Sequence, residues 1–346
     1  MKLALYAPFL PSERWRQTYA VSVIKAFVNL NWQVEILGGK TVSHSDFDNS
    51  GTFISVDEPK EPEDLAKPSL KRLRQVSEIG KELSQEYDLF ISLESPVPLF
   101  NHGISGAWIP PFPSADKPQA ATGATGFFSK LKQSWYNRLE WNSRFTKYLN
   151  IFVPSKFMQE WFYKRYRLWS TVLPPEIALP CSAVKPEEKE KTVCLLAPSD
   201  ETRQILSSQF DKLVKNTGIK TTLKAVSPSD KFEDVISAIN ASAMLWDATG
   251  YGTKAPELAG AFPFYSAYAM ALGTVPITFC AGAAPEAIVH QQSGVIWQTV
   301  PEALSAILGF SQNDSLRLDF AALAQTRTQY FSTELFQKRL ISSLKR

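Results

Sequence analysis

The stretch from Met244 to Trp297, MLWDATGYGTKAPELAGAFPFYSAYAMALGTVPITFCAGAAPEAIVHQQSGVIW, narrows most sharply what this chain can fold into. A short apolar run ends at Trp246, and a glycine-rich loop follows with Gly250, Gly252, Pro256 and Gly260. Ser266 to Leu272 has the small-residue spacing of a buried helix, stopped by Gly273. Val275 to Phe279 reads as a buried strand, and Gly282 with Pro285 as a turn onto a further helix N-terminus. Strand, glycine loop, helix N-terminus and strand, in that order, is how an open α/β sheet builds an anion site at the C-terminal edge of its strands.

A chain of 346 residues has room for two such α/β domains, and 44% hydrophobic residues suffice for two cores. Its 37 basic and 34 acidic residues leave +3, too small a balance to argue for nucleic acid as a partner. Cys181, Cys194 and Cys280 stand at scattered spacings that match no metal motif or disulfide framework, which fits a reducing compartment. The apolar run in MKLALYAPFLPSERW is short and interrupted by prolines and charges, unlike a signal peptide. No run approaches the ~18 apolar residues of a membrane-spanning helix. The expected location is cytoplasmic.

Several interlocked motifs carry a family resemblance: W-x-x-x-G-Y-G from Trp246, A-M-A-x-G-x-V-P-I from Ala269, P-E-x-I-V from Pro285 and G-x-x-W from Gly294. In this order they resemble the donor half of family 4 glycosyltransferases, nearest the branch that contains the ER mannosyltransferase of the dolichol pathway. The resemblance spans most of residues 150–346 and is topological before that. It implies a GT-B fold, α/β with two Rossmann-like domains facing across a cleft. The implied organisation is an acceptor-side domain over 1–172, a hinge over 173–191, a nucleotide-sugar domain over 192–328, and a C-terminal helix over 329–346 that crosses back.

Taken in order, Lys2–Ala7 reads as a buried first strand, Pro8–Gln17 as a loop, Tyr19–Leu30 as a helix and Val34–Leu37 as a second strand. The family often places a glycine pair in that first loop; this chain has Arg14, Trp15 and Arg16, whose two arginines are candidates to reach phosphate or acceptor. Asp46-Phe47-Asp48 mimics a metal-binding D-x-D motif but lies in a polar stretch and reads as structural. Leu70–Leu83 is a helix and Leu89–Leu93 a strand, which makes Glu94, at that strand's C-terminal end, a candidate cleft residue. His102 lies before the strand around Trp108 rather than after it, so the family's pocket histidine is not carried onto it. Residues 127–149 are aromatic and basic: a bilayer-surface helix looks like this, and so does a helix packing one face on its own domain. Val172-Leu173-Pro174-Pro175 is the exit to the hinge.

Family 4 enzymes transfer sugar from a nucleoside-diphosphate donor with retention and without a metal, so the resemblance implies a nucleotide sugar as co-substrate and no cofactor. Leaving-diphosphate charge is met there by an arginine, a lysine and helix N-terminal amides. Pro198 stands at the arginine position, while Arg203 keeps a cation at the lysine position. The family glutamate that touches the donor sugar corresponds to Gly260, and the one that binds the ribose to Tyr268. The family histidine corresponds to Asp247, a candidate catalytic residue, and Glu286 is retained. Candidate donor contacts are therefore Arg203, Gly260, Phe264, Tyr265, Ser266, Tyr268 and Glu286. Two functions remain open: a glycosyltransferase acting on a glycan, lipid or protein acceptor, or an inactive GT-B homologue serving as a binding or partner subunit.

Overall fold

The computed structural model describes residues 1–7, 14–56, 70–93, 99–110, 144–145, 147–252 and 260–344, with the backbone alone at 14–16, 70–73, 75, 76 and 165. The chain divides into two compact units. The first comprises Met1–Val153, Trp161–Pro175 and Gln337–Arg346, and the second Pro154–Glu160 and Glu176–Phe336.

The first unit is built on a seven-stranded parallel sheet. In chain order its strands are β1 (Lys2–Ala7), β2 (Gln33–Gly38), β3 (Thr52–Ser55), β4 (Leu89–Leu93), β5 (Ser105–Ile109), β6 (Tyr148–Val153) and β7 (Thr171–Val172). They lie in the order β3-β2-β1-β4-β5-β6-β7. Helices Arg14–Asn29, Leu70–Ser84 and Lys156–Tyr166 follow β1, β3 and β6. Strands covered on both faces must be apolar throughout, and β4 and β5 are buried at every residue. Glu35 on β2 is the exception. Its carboxylate accepts a 2.6 Å bond from the Tyr87 hydroxyl and lies 3.2 Å from Lys2 Nζ. Burial, and then that carboxylate, push the Tyr87 hydroxyl well above its ordinary pKa.

Two sequence expectations meet their outcome here. The first helix begins at Arg14, not Tyr19, so Arg14 and Arg16 stand in a helical first turn instead of a loop. Arginine and glutamine are good helix formers, and no proline or glycine interrupts residues 14–19. Asp46 is structural, as its setting suggested: it caps the short helix His44–Phe47 by accepting from the backbone N–H of Ser43, while Phe47 is buried beneath. Glu94 and most of 127–149 lie outside the described residues.

The second unit holds a five-stranded parallel sheet of β8 (Glu190–Leu196), β9 (Thr222–Val226), β10 (Ser242–Asp247), β11 (Val275–Phe279) and β12 (Val295–Trp297), in the order β12-β11-β10-β8-β9. Its helices are Asp200–Thr217, Phe232–Ala241, Phe264–Ala271, Ala284–Ala287, Val300–Gln312 and Asp314–Thr328. The core gathers Val193, Leu195, Met244, Trp246, Ile277 and Trp297 from the strands against Leu206, Phe210 and Ile307 from the helices. Trp246 and Trp297 meet edge to face at 6.3 Å. Burying two such rings contributes several kcal/mol at about 25 cal/mol per Å². This is what holds β10 to β12 in the register from which the loops described next emerge.

Candidate functional site

In the second sheet β8 runs on to β9 on one side, and the chain then crosses to lay β10 on the other side of β8. Loops leaving the C-terminal ends of β8 and β10 therefore diverge and open a crevice at this switch point. From β8 come Ala197–Ser199 and the N-terminus of helix Asp200–Thr217, where the Ser199 hydroxyl accepts the Thr202 N–H at 3.1 Å. From β10 comes the turn Ala248–Gly252, in which Gly250 (φ +87°) and Gly252 (φ +77°) occupy left-handed conformations that disfavour other residues. The Ala248 N–H donates to Leu196 O at 3.0 Å, joining the roots of the two loops. Tyr251 anchors its turn on the core through Trp297 and Phe279.

Arg203 stands one turn into helix Asp200–Thr217. Its side chain is 38% exposed and pairs with the exposed Asp200 at 3.3 Å, a contact worth little in water. Its Nε is buried and has no hydrogen-bond partner among the described residues. A guanidinium with a spare donor on this edge of the sheet is a ready partner for an anion.

Asp247 is buried at the end of β10. One carboxylate oxygen accepts the Thr249 N–H at 2.9 Å, and the other the Ser266 hydroxyl at 2.6 Å; the Ser266 oxygen lies 2.8 Å from the Thr278 hydroxyl. This chain ties the first turn of helix Phe264–Ala271 to β10 and β11. Asp247 holds the frame of the site. That helix starts from Pro263 without a side-chain cap. Uncapped first-turn amides and the partial positive charge of a helix N-terminus attract anions.

At Gly260 the chain runs backbone against backbone with the turn after β11. A Cβ on Gly260 would lie 2.6 Å from Gly282 Cα and 2.7 Å from Gly282 N. The Ala283 N–H donates to Gly260 O at 2.7 Å. No side chain fits at this position, the one that corresponds to the family's sugar-contacting glutamate. Tyr268 is fully buried, edge-on to Phe232 at 5.5 Å and to Phe264 at 4.8 Å. Phe264 and Tyr268 thus present rings to each other and only their backbone to the helix start. Tyr265 is half-buried, and its hydroxyl donates to Pro228 O at 3.3 Å.

Glu286 is drawn elsewhere. Its two carboxylate oxygens accept the N–H groups of Lys156 and Phe157 at 2.8 and 2.7 Å, capping the start of helix Lys156–Tyr166. The Arg327 guanidinium donates in turn to the carbonyls of Glu286 (2.8 Å) and Ala287 (3.2 Å). The edge of the second sheet thus gathers Arg203, Asp247, Gly260, Ser266 and the start of helix Phe264–Ala271, with Glu286 committed to a helix cap.

Thr202 and Thr278 were not singled out from sequence. The Ser199-to-Thr202 cap was legible, since serine followed by Asp200 and Glu201 is a helix-start pattern. Thr278 ends an apolar strand and carries no local signal. Cys194 lies in the core of β8, where burial pushes its thiol up to about 12 and leaves it unreactive. Among the described residues no three His, Cys, Asp or Glu side chains stand together as a metal site.

No protein-family model matches the chain, and no curated protein does. Solved structures do. A glycosyltransferase from Rickettsia africae ESF-5 is similar with TM-score 0.62 at 13% identity, over 99% of this chain and 97% of that one. Alr3699/HepE of Anabaena, solved in complex with UDP-glucose, gives TM-score 0.62 at 12% identity over 99% and 100%. Sucrose-phosphate synthase from Thermosynechococcus elongatus gives TM-score 0.57 at 12% identity over 99% and 98%. At such identities the likeness is one of fold, and the fold is that of GT-B glycosyltransferases.

Proposed function

We propose that the chain is a glycosyltransferase that moves a sugar from a nucleoside-diphosphate donor to a glycan, lipid or protein acceptor, with retention and without a metal. The motif order from Trp246 to Trp297 makes the dolichol-pathway branch of family 4 its nearest likeness. The observation that carries the reading is Arg203: a part-exposed guanidinium with an unsatisfied donor at the switch point, on the same sheet edge as the uncapped start of helix Phe264–Ala271. Two fixed positive features on one sheet edge suit a diphosphate, whose charge grows as the sugar leaves. Donors held in place before reaction stabilise that charge without reorganisation. Asp247, through Ser266, holds the helix start in position, and the Gly260–Gly282 seam puts backbone where related enzymes put a carboxylate. UDP-glucose is the first donor to try, because HepE was solved with it bound.

Calorimetry and turnover across a panel of UDP-, GDP- and ADP-sugars test the proposal. Binding of at least one donor with slow release of its nucleoside diphosphate is expected. If the wild-type chain binds none of them, it is an inactive scaffold of this fold.

A further inference from the structure

Three of the most exposed large apolar side chains among the described residues lie on neighbouring strands at one edge of the first unit's sheet. Ile104 is 73% exposed immediately before β5, Leu149 is 48% exposed near the start of β6, and Trp169 is 76% exposed two residues before β7. Because the sheet is parallel and its order runs β5-β6-β7, these are the N-terminal ends of three adjacent strands.

Leu149 and Trp169 are turned outward by specific backbone features. Gly106 pairs with Tyr148 and Ala107 with Asn150, so Leu149 is the extra residue of a β-bulge, a device that re-aims a side chain. Arg167 takes φ +59° just after helix Lys156–Tyr166, and its N–H donates back to Tyr163 O at 2.9 Å. A left-handed residue other than glycine at a helix end is held there by its surroundings, and it reverses the chain toward Trp169. The Trp169 ring then lies 4.6 Å from that of Tyr163 at an interplanar angle of 33°.

The charge of this edge is one-sided. Residues 99–110, 144–153 and 161–175, which carry β5, β6 and β7, contain no aspartate or glutamate. Lys147, Lys164 and Arg167 are exposed among them. The next strand along, β4, is preceded by Glu86 and Asp88, and Lys2 answers both: its Nζ lies 3.9 Å from Glu86, and its N–H donates to Asp88 at 2.7 Å. The uncompensated positive zone is therefore confined to the three strand ends that expose the apolar side chains.

We propose that this edge of the first unit is a membrane-docking surface, seated on a bilayer with anionic headgroups. Tryptophan and tyrosine settle at the headgroup level, isoleucine and leucine dip below it, and lysine and arginine meet the lipid phosphates. Nucleic acid would have no use for Ile104 and Leu149. An acidic protein would meet the charges but favours a patch with a well-packed apolar centre, not three separated protruding side chains. No described helix is long and apolar enough to cross a membrane, so the contact is peripheral. The inference does not depend on the proposed catalytic activity.

Vesicle co-sedimentation of the full chain tests it. The probes are vesicles of pure phosphatidylcholine, vesicles of equimolar phosphatidylcholine and phosphatidylglycerol, and heparin as a soluble polyanion. The wild type is expected to bind the anionic vesicles and not the neutral ones. The variant carrying Leu149→Ser and Trp169→Ser should bind them roughly tenfold more weakly, as should the wild type in high salt. Both side chains are solvent-facing, so the unfolding midpoint of the variant should match the wild type; should it fall, Ile104→Ser replaces the double change. Failure to bind anionic vesicles overturns the proposal. So does binding that the serine variants leave unchanged, or binding to heparin without binding to vesicles.

Discussion

Replacing Gly260 by alanine tests the backbone seam that sets this site apart from its relatives. The new Cβ would lie 2.6 Å from Gly282 Cα, 2.7 Å from Gly282 N and 2.9 Å from Ala281 C, all of them backbone atoms or carbons that cannot rotate away. To reach ordinary contact the two segments must part by roughly 0.8 Å, against the close packing of a protein interior. That movement stretches the 2.7 Å bond from the Ala283 N–H to Gly260 O. Losing the bond costs about 1 kcal/mol and overpacking adds about 1–3 kcal/mol, so a destabilisation of about 2–4 kcal/mol is expected. Urea unfolding followed by the fluorescence of the buried Trp246 and Trp297 measures it. Gly309→Ala is the matched control: it lies inside helix Val300–Gln312 with nothing within 4 Å of its new Cβ, and should stabilise by about 0.5–1 kcal/mol. If Gly260→Ala unfolds within about 0.5 kcal/mol of the wild type, the seam is not rigid. A carboxylate could then stand there after all.

Arg203→Ala should weaken donor binding roughly ten- to a hundredfold by calorimetry, the worth of one charge-assisted contact; unchanged affinity removes Arg203 from the site. Glu286→Ala removes two charge-assisted bonds to the first turn of helix Lys156–Tyr166, where Lys156 is exposed enough for water to replace one. A loss of about 1.5–3 kcal/mol is expected, with faster amide exchange at Lys156 and Phe157, and exchange unchanged at both would count against the cap. Lys189 is held down at about 8 by burial and then by the charge of Arg317. The unfolded chain therefore binds more protons between about pH 8 and 10.5, and this group's penalty, full below pH 8, fades as pH rises through that window. Lys189→Met should remove that rise, so its stability relative to wild type falls between pH 8 and 10; a flat difference would refute the assignment.

Local sequence was enough for the second sheet and most of its helices. Phe232–Ala241 and Val275–Phe279 appear where apolar spacing and the glycine at 273 put them, because helix and strand periods are local properties. The GT-B fold was legible for the same reason, since the motifs from Trp246 to Trp297 record the turns and close packings such a fold requires. The helix beginning at Arg14 was read too short, because its first turn lacks the apolar signal that marked the remainder.

Sequence did not decide how the candidate side chains are used. Glu286 keeps a family motif, yet its carboxylate caps a helix 129 and 130 residues away in sequence, a pairing no local pattern encodes. Asp247 occupies a histidine position, and only the fold brings Ser266 and, through it, Thr278 to its buried carboxylate. Gly260 looked like a lost acid; the opposed backbone of Gly282 makes it a position with no room for one. Leu149 sits in a strand like its neighbours until the register shift against β5 turns it to solvent. Identity and spacing determined the elements, while partnership, burial and the direction of each functional side chain were decided by contacts between residues distant in sequence.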